Sequence, residues 1–448
     1  MIRRQEVTKQ EIDERLARSE ARLREPYYQI GEVFQSPDAD WPGDKEGRAL
    51  LAFVSHYKAT GHVIPCMAQL LEAMPAHTNE QLYFGPAAND VIFEQQLSGH
   101  SWLLRGLCEH YEQFRDDFCL KALKSVTEGL YLPTTGRYGG YPVNRDPEEL
   151  MKGGVSGHTI SDSEGWRLST DVGCAFMSID GLSHVYKITR DSRVKVLLDE
   201  MIRAYAAIDK VTLRAQTHCT LTAARGMLRM YGVTEDPMYL TYAKDIFNLY
   251  VFGEGMDAAF QNLNWWGRPD TWTEPCAIVD SLMVSGELYK ITGREMYRRC
   301  AARIWHNGLA SAQRPNGGAG TDSVVFINVD GYDDVDTLHL LSYEAPFCCS
   351  MRLAEGLWYA KENRALLYAE TEYKRSGEMI TVRDKYGRYM CGDLVLAEPY
   401  LPEGADTKGW TLPAPTVTVD GHALSPLIKY YDKTDDVVGV LRQRMLFK

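Results

Sequence analysis

The sequence predicts a mainly α-helical protein, an (α/α)6 toroid with a small C-terminal β-rich appendage. Three observations carry this prediction. A helical segment that ends in a tyrosine and a short polar turn recurs six times. Each interval between recurrences has room for two helices of about 12–15 residues and their connections. Beyond residue 370 the helical spacing gives way to alternating apolar and polar residues, which is the pattern of β-strands.

The repeat is marked by tyrosines spaced 54, 75, 45, 58 and 70 residues apart. They are Tyr57, Tyr111, Tyr186, Tyr231, Tyr289 and Tyr359. Six helical hairpins are the number that closes a ring, whereas an irregular α-solenoid would use the same pairs without closure. We expect the toroid, with an N-terminal helical extension, to span residues 1–369 and the β-rich region to span residues 370–448.

Composition narrows the classes of protein to which the chain can belong. With 448 residues, 45% of them hydrophobic, it is a folded globular protein. A formal charge of −12 without a basic run disfavours nucleic acid and anionic membrane surfaces as partners. No stretch of 18 apolar residues and no signal peptide are present, so a cytoplasmic location is expected. Ten cysteines are too sparse for a disulfide scaffold and should be mostly reduced thiols.

Two cysteine motifs lie at the starts of consecutive inner helices. Glu274 and Cys276 open the fifth, and the adjacent Cys348 and Cys349 open the sixth. In a toroid these helix starts are neighbours, so three thiolates and one carboxylate would converge, a ligand set that suits tetrahedral zinc. Helix N-termini also favour thiolates. Either motif alone occurs by chance, so a structural role for each remains the alternative.

Several motifs resemble the β-L-arabinofuranosidase family, glycoside hydrolase family 127, over residues 45–365. They are DTWTEPCA (270–277), WHNGLAS (305–311), VVFINV (324–329) and CCSMRLAEGLWYA (348–360). The resemblance implies an (α/α)6 catalytic domain with β-sandwich appendages. It also implies a zinc ion held by Glu274, Cys276, Cys348 and Cys349, with Cys348 as the nucleophile.

The acid/base residue is where the sequence departs from the family pattern. A retaining mechanism needs a carboxyl group about 5–5.5 Å from the nucleophile. The loop before the Glu-x-Cys motif offers Glu254, Asp257 and Asp270. Asp270 matches a family aspartate next to the motif and is interpreted as a loop brace. Glu254 is the preferred acid/base and Asp257 the second choice, and loss of this function is the remaining alternative.

Sugar contacts are predicted at two histidines and one tryptophan. His218 and His100 match family histidines at inner-helix starts, although a core role for either is the alternative. Trp265 shares its loop with Trp266, Trp272 and Glu254, where an aromatic ring would stack on a sugar or close the mouth of the toroid. A third family histidine is replaced by Met177, which indicates that the sugar or its linkage differs.

These residues together predict a retaining glycoside hydrolase that releases a β-linked L-arabinofuranose-like or related uncommon sugar, using a zinc-bound cysteine thiolate. The expected partner is a small carbohydrate, and a homo-oligomer is left open. One alternative is a sugar isomerase or epimerase on the same toroid, which would not need Glu274 and three cysteines. The other is a non-catalytic sugar-binding relative with a structural zinc, since a closed four-ligand zinc site is structural by default.

Overall fold

The computed structural model describes residues 2–34, 41–143, 157, 159–253, 255–256, 260–267, 273–314, 316–322, 337–372, 381–383, 389–391, 417–419 and 422–432. Its longer helices are α1 Lys9–Leu23, α2 Asp44–Thr60, α3 Cys66–His77, α4 Glu94–Phe114, α5 Asp117–Val126, α6 Ser178–Thr189, α7 Ser192–Ala207, α8 Thr217–Thr234, α9 Pro237–Phe252, α10 Pro275–Thr292, α11 Glu295–Arg303 and α12 Cys349–Glu362. Shorter helical segments are Pro26–Tyr28, Ile30–Val33, Thr127–Tyr131, Leu132–Thr134, Tyr138–Gly140, Cys174–Met177, Ile304–Leu309, Ala310–Ala312 and Arg364–Leu366.

In the part of the chain that the structure describes, the strands form four small sheets. They are β1 Ile2–Gln5, β2 Ile92–Phe93, β3 Thr159–Ser163, β4 Trp166–Ser169, β5 Gly320–Asp322, β6 Thr337–Glu344, β7 Ala369–Glu372, β8 Thr381–Arg383, β9 Tyr389–Cys391, β10 Val417–Val419 and β11 His422–Asp432. The sheet orders are β1-β7, β2-β4-β3, β10-β11-β6-β5 and β8-β9. Strand β11 runs parallel to β6, with a register shift between Ile428 and Tyr430. After Glu362 the described elements are strands and one short helical turn, as the predicted β-rich appendage requires.

The chain forms two compact units. The helical unit is Leu23–Tyr250, and the cysteine unit combines Met1–Arg22 with Val251–Lys448. The division near residue 370 that the sequence predicts stays a prediction. Within the described residues, no helix is long and apolar enough to cross a lipid bilayer.

The tyrosine repeat of the sequence is a helix-capping repeat. In all six cases the tyrosine carbonyl accepts a hydrogen bond from the N–H of the residue that ends the helix, at 2.7–3.0 Å. These capping residues are Gly61, Arg115, Arg190, Glu235, Gly293 and Asn363. The first five have φ between 57° and 78°, the left-handed conformation that turns the chain sharply after a helix. This confirms the predicted helix–turn–helix units at the first five tyrosines, whereas the helix that contains Tyr359 is followed by a short helical turn and a strand.

Glycines allow very close approach between helices of the helical unit. A Cβ atom added at Gly47 of α2 would lie 2.1 Å from the backbone nitrogen of Leu103 in α4. One added at Gly226 of α8 would lie 2.5 Å from the carbonyl oxygen of Ile179 in α6. Because backbone faces backbone at both crossings, a side chain cannot move aside to make room.

Buried ion pairs fix the same helices against one another. Asp180 of α6 is fully buried and accepts a hydrogen bond from Arg229 of α8 at 2.6 Å. Arg105 of α4 lies 3.2 Å from the second oxygen of this carboxylate. Removing one partner would leave an uncompensated buried charge, so the network specifies how the three helices pack.

The first prediction concerns the glycine crossings. We expect Gly47→Ala to lower the free energy of unfolding by about 3 kcal/mol, because the added methyl group overlaps a backbone that cannot yield. Gly232→Ala in α8 is the matched control, since nothing lies within 4 Å of its added Cβ. That control should stabilise the protein by about 0.5–1 kcal/mol through helix propensity. Urea denaturation measures both, and equal effects of the two changes would contradict the close packing.

The second prediction concerns pH. Burial lowers the pKa of His100, His184 and His306 to about 4, from 6.5, and raises that of Glu46 to about 7, from 4.5. Between pH 6.5 and 4 the unfolded state therefore binds more protons at the histidines, which lowers stability as pH falls. Glu46 acts in the opposite direction as pH falls from 7 to 4.5. Because the three histidines outweigh Glu46, the free energy of unfolding should fall towards pH 4 by roughly 1–3 kcal/mol per pH unit.

Urea denaturation across this pH range measures the effect. Glu46→Gln removes the opposing contribution, so its decline above pH 4.5 should be steeper than that of the wild type. A free energy of unfolding that stays level or rises as pH falls from 6.5 to 4 would contradict the assignment of buried neutral histidines.

Candidate metal centre

Three cysteine thiols meet where α10 and α12 begin. Glu274 is the N-cap residue of α10 and Cys276 is its second residue, while Cys348 is the N-cap residue of α12 and Cys349 its first. The Sγ atom of Cys276 lies 3.1 Å from that of Cys348 and 4.0 Å from that of Cys349. The Sγ atoms of the two adjacent cysteines are 4.0 Å apart.

The carboxylate of Glu274 completes this cluster. Its Oε1 atom lies 3.7 Å from the Sγ atom of Cys348, and one ligand atom from each of the four residues lies within 4.8 Å of the others. Zinc–sulfur bonds of about 2.3 Å in a tetrahedron place sulfurs about 3.8 Å apart. The observed sulfur separations bracket that value, so the donor set fits one tetrahedral cation of the zinc type.

Electrostatics favours a cation among these groups. Burial, followed by the neighbouring thiols, raises the pKa of Cys276 well above its usual range, and burial does the same for Cys349. Without a cation the buried thiols therefore stay protonated. A divalent metal replaces those protons and offsets the anionic charge, and the two helix N-termini add partial positive charge from their backbone amides.

The three thiols differ in accessibility. Cys276 and Cys349 are buried, whereas Cys348 is partly exposed. A sulfur that reacts with an external molecule must reach it, so Cys348 is the best placed of the three. The family resemblance implies the same residue as nucleophile, and its exposure is an independent observation in the same direction.

Asn262, which no motif of the sequence indicated, positions the residue that carries the carboxylate ligand. The backbone N–H of Glu274 donates to Oδ1 of Asn262 at 2.7 Å, and Asn262 is fully buried. This bond satisfies a backbone amide at the start of α10 and fixes the residue that bears the carboxylate. The contact spans 12 residues of irregular loop, so no periodicity or motif could have indicated it.

A tight turn positions the paired cysteines. The hydroxyl group of Ser350 accepts from the N–H of Ala319 at 2.9 Å and donates to its carbonyl at 3.0 Å. A Cβ atom added at Gly318 would lie 2.3 Å from Oε1 of Glu344 and 3.1 Å from Oγ of Ser350. A hydrogen bond from the N–H of Gly317 to the carbonyl of Arg314, at 2.9 Å, closes this turn.

Buried charges hold α10 and α12 together directly below the cluster. Asp280, four residues after Cys276, pairs with Arg352, three residues after Cys349. Arg352 also pairs with Glu355, and all three side chains are almost completely buried. A buried ion pair adds little net stability, so its main effect is to fix one geometry. Here that geometry is the spacing of the two helix starts.

The predicted sugar-contacting residues lie in different surroundings. His100 is fully buried, its Nε2 accepts from the N–H of Phe84 at 2.9 Å, and its Nδ1 donates to the carbonyl of Gln96 at 2.8 Å. Both nitrogens of the imidazole are therefore bonded inside the helical unit. His218 is buried and stacks on Trp102, with ring centroids 5.6 Å apart.

Trp265 and Met177 are also buried, at 5% and 2% exposure. Met177 accepts a hydrogen bond at sulfur from Ser98 at 3.0 Å, in the core of the helical unit. Sugar binding by His100, His218 and Trp265 stays a prediction. The acid/base candidates Glu254 and Asp257 lie outside the described residues, as do Asp270, Trp272 and the VVFINV segment.

No known family model and no curated protein matches the chain. Among solved structures, a glycoside hydrolase aligns with 13% identity and a TM-score of 0.51, over 84% of this chain and 64% of that one. The cellobiose 2-epimerase of Bacillus thermoamylovorans aligns with 12% identity and a TM-score of 0.51, over 79% and 100%. A β-arabinofuranosidase of glycoside hydrolase family 127 aligns with 13% identity and a TM-score of 0.49, over 79% of this chain and 56% of that one.

The structural likeness establishes the fold class. The chain has the mainly α-helical fold of (α/α) toroid glycosidases and epimerases, as the sequence predicts. It spans 64% of the length of the glycoside hydrolase, so that protein extends well beyond the shared region. At these identities the likeness concerns the fold alone.

The third prediction tests the role of Asn262. We expect Asn262→Ala to weaken zinc binding about 10–100-fold, because residues that orient metal ligands contribute that much to affinity. Asn262→Asp is the matched control, since it keeps an oxygen that accepts the Glu274 N–H. Competition with a chromophoric chelator measures both affinities. Unchanged zinc affinity in Asn262→Ala would show that the bond to Glu274 does not position a ligand.

Proposed function

We propose that this protein is a retaining glycoside hydrolase that uses the thiolate of Cys348 as its nucleophile. The observation that carries the proposal is the convergence of Glu274, Cys276, Cys348 and Cys349, with one ligand atom from each within 4.8 Å of the others. The partial exposure of Cys348 supports its role as the reacting member. The sequence motifs resemble those of the β-L-arabinofuranosidases, and the (α/α) toroid is a fold that glycosidases use. Both support an L-arabinofuranose-like sugar as the substrate class.

Zinc, held by Glu274, Cys276, Cys348 and Cys349, would keep the thiols deprotonated at neutral pH without a separate base. The protein's own part is to hold these ligands in place. Asn262 holds the backbone of Glu274, Ser350 ties the helix start that carries the paired cysteines to Ala319, and the Arg352–Asp280 pair fixes the helix spacing.

The reaction proceeds in two steps. The sulfur of Cys348 attacks the anomeric carbon, the bond to the leaving oxygen breaks, and that oxygen keeps the electron pair and takes a proton from a carboxylic acid. Water then attacks the same carbon, the carbon–sulfur bond breaks, and the carboxylate accepts the proton of the water. For that carboxyl group we propose Glu254, with Asp257 as the second candidate.

The proposed substrate is a small glycan with a terminal β-linked L-arabinofuranose or a related uncommon sugar. Two other functions compete with this one. The likeness to cellobiose 2-epimerase favours a sugar epimerase, which converts a reducing sugar without releasing a monosaccharide. A purely structural metal centre would leave the protein able to bind a sugar without cleaving it.

The fourth prediction separates these functions by covalent labelling. After reaction with a cysteine-directed activated sugar, intact-mass spectrometry and peptide mapping should find one label, on Cys348. Cys348→Ser should stay folded, because serine leaves an oxygen ligand, but should lose label and turnover. Cys300→Ser is the control, since Cys300 is a buried thiol of α11 outside the cluster.

Each outcome decides between the competitors. Label on Cys349, or turnover without label on Cys348, would refute the nucleophile assignment. Epimerised product without released monosaccharide would replace the hydrolase with the epimerase. Two results together would leave only the structural centre. The protein would not turn over β-L-arabinofuranosides or related glycosides, and the Cys348→Ala and Cys349→Ala variants would lose folding equally.

A further inference from the structure

A second cluster of metal-ligating side chains lies at the turn between α4 and α5, in the helical unit. It consists of His110, Asp116 and Cys119, each of which offers a ligand atom within 4.8 Å of the other two. The Sγ atom of Cys119 is 3.2 Å from Nδ1 of His110, and Oδ2 of Asp116 is 4.0 Å from the same nitrogen. All three residues belong to one hairpin, so the cluster depends on no contact with the cysteine unit.

Helix geometry brings these residues together. Helix α4 ends at Phe114 and is capped by Arg115, whose left-handed backbone (φ 57°) reverses the chain and whose N–H donates to the carbonyl of Tyr111. Asp116 is then the N-cap residue of α5. His110 thus lies about one turn before the end of α4 and Cys119 in the first turn of α5, on opposite sides of a two-residue connection.

Asp116 has one oxygen for the helix and one for the cluster. Its Oδ1 accepts hydrogen bonds from the N–H groups of Phe118 and Cys119 at 2.8 and 3.1 Å, as N-cap side chains do. Its Oδ2 is turned towards His110. The cap orients the carboxylate, and capping and metal binding do not compete for the same atom.

Burial and charge also suit a cation. Cys119 is fully buried and His110 almost so, with the ring of Phe114 packed 4.7 Å from the imidazole, while Asp116 is one-third exposed. Sulfur, imidazole nitrogen and carboxylate oxygen form a mixed donor set that suits zinc and similar borderline cations. In a tetrahedron such donors lie about 3.3–3.8 Å apart, close to the observed 3.2 and 4.0 Å.

We propose that His110, Asp116 and Cys119 bind a second divalent cation of the zinc type. The cation displaces the proton of the Cys119 thiol, which in the metal-free protein is shared with Nδ1 of His110. The exposed side of Asp116 leaves room for water as a further ligand. The site clamps the end of α4 to the start of α5, and it is independent of the cysteine cluster proposed for catalysis.

Cobalt titration of the full metal-free chain tests the proposal, because cobalt reports each thiolate ligand by charge-transfer absorption. The wild type should bind two equivalents. The event at the three-cysteine cluster should be strong, and the event at this site should have about one third of its intensity, since it involves one thiolate rather than three. Metal analysis after zinc loading should give the same stoichiometry.

Asp116→Asn is the decisive variant, because asparagine caps a helix as well as aspartate but removes the anionic ligand. It should bind one equivalent. Asp191→Asn is the matched control, since Asp191 also caps a helix, accepting from the N–H of Arg193 at 2.9 Å. That control should bind two equivalents.

The two metal proposals fail in distinguishable ways. In Cys276→Ser the weaker cobalt event should persist. If the cysteine cluster bound no metal at all, loss of the weaker event in Asp116→Asn would still support the site at His110, Asp116 and Cys119. A wild type that lacks the weaker event, or an Asp116→Asn variant that keeps it, would overturn the proposal and leave a thiol–imidazole hydrogen bond.

Discussion

Three thiols and a carboxyl group within a few ångströms of one another form a stable set of anions only if a cation lies among them. This constraint accounts for the arrangement around the N-termini of α10 and α12. Two helices begin at the cysteines, Asn262 binds the backbone of Glu274, and the buried Arg352–Asp280 pair holds the two helices at one spacing. Burying these polar and charged groups costs free energy, and a merely apolar contact between helices would not require it.

The fold brings the cysteines together through its repeat. Each hairpin ends its first helix with a tyrosine carbonyl capped by the residue that reverses the chain. Helices α10 and α12, which belong to the same unit, both begin at the cluster. Residues 72 positions apart, such as Cys276 and Cys348, meet because each opens such a helix.

The sequence was most informative where local chemistry decides structure. The tyrosine-turn repeat predicted the helical hairpins because helix capping depends on a few adjacent residues. Glu274, Cys276 and the paired cysteines could be predicted to meet because helix starts are readable from sequence. Asn262 and Ser350 could not be predicted, since their partners lie across irregular loops whose path no periodicity encodes. The environment of His100 was equally hidden, because Phe84 satisfies its second nitrogen from a non-helical segment.

X-ray absorption at the zinc edge, on protein loaded with one equivalent of zinc, tests the central claim most directly. The account predicts a shell of three sulfur atoms at about 2.3 Å and one oxygen at about 2.0–2.2 Å. Cys276→Ser should lower the sulfur count to two. A first shell composed only of nitrogen and oxygen, or a sulfur count that is the same in the wild type and in Cys276→Ser, would contradict the account.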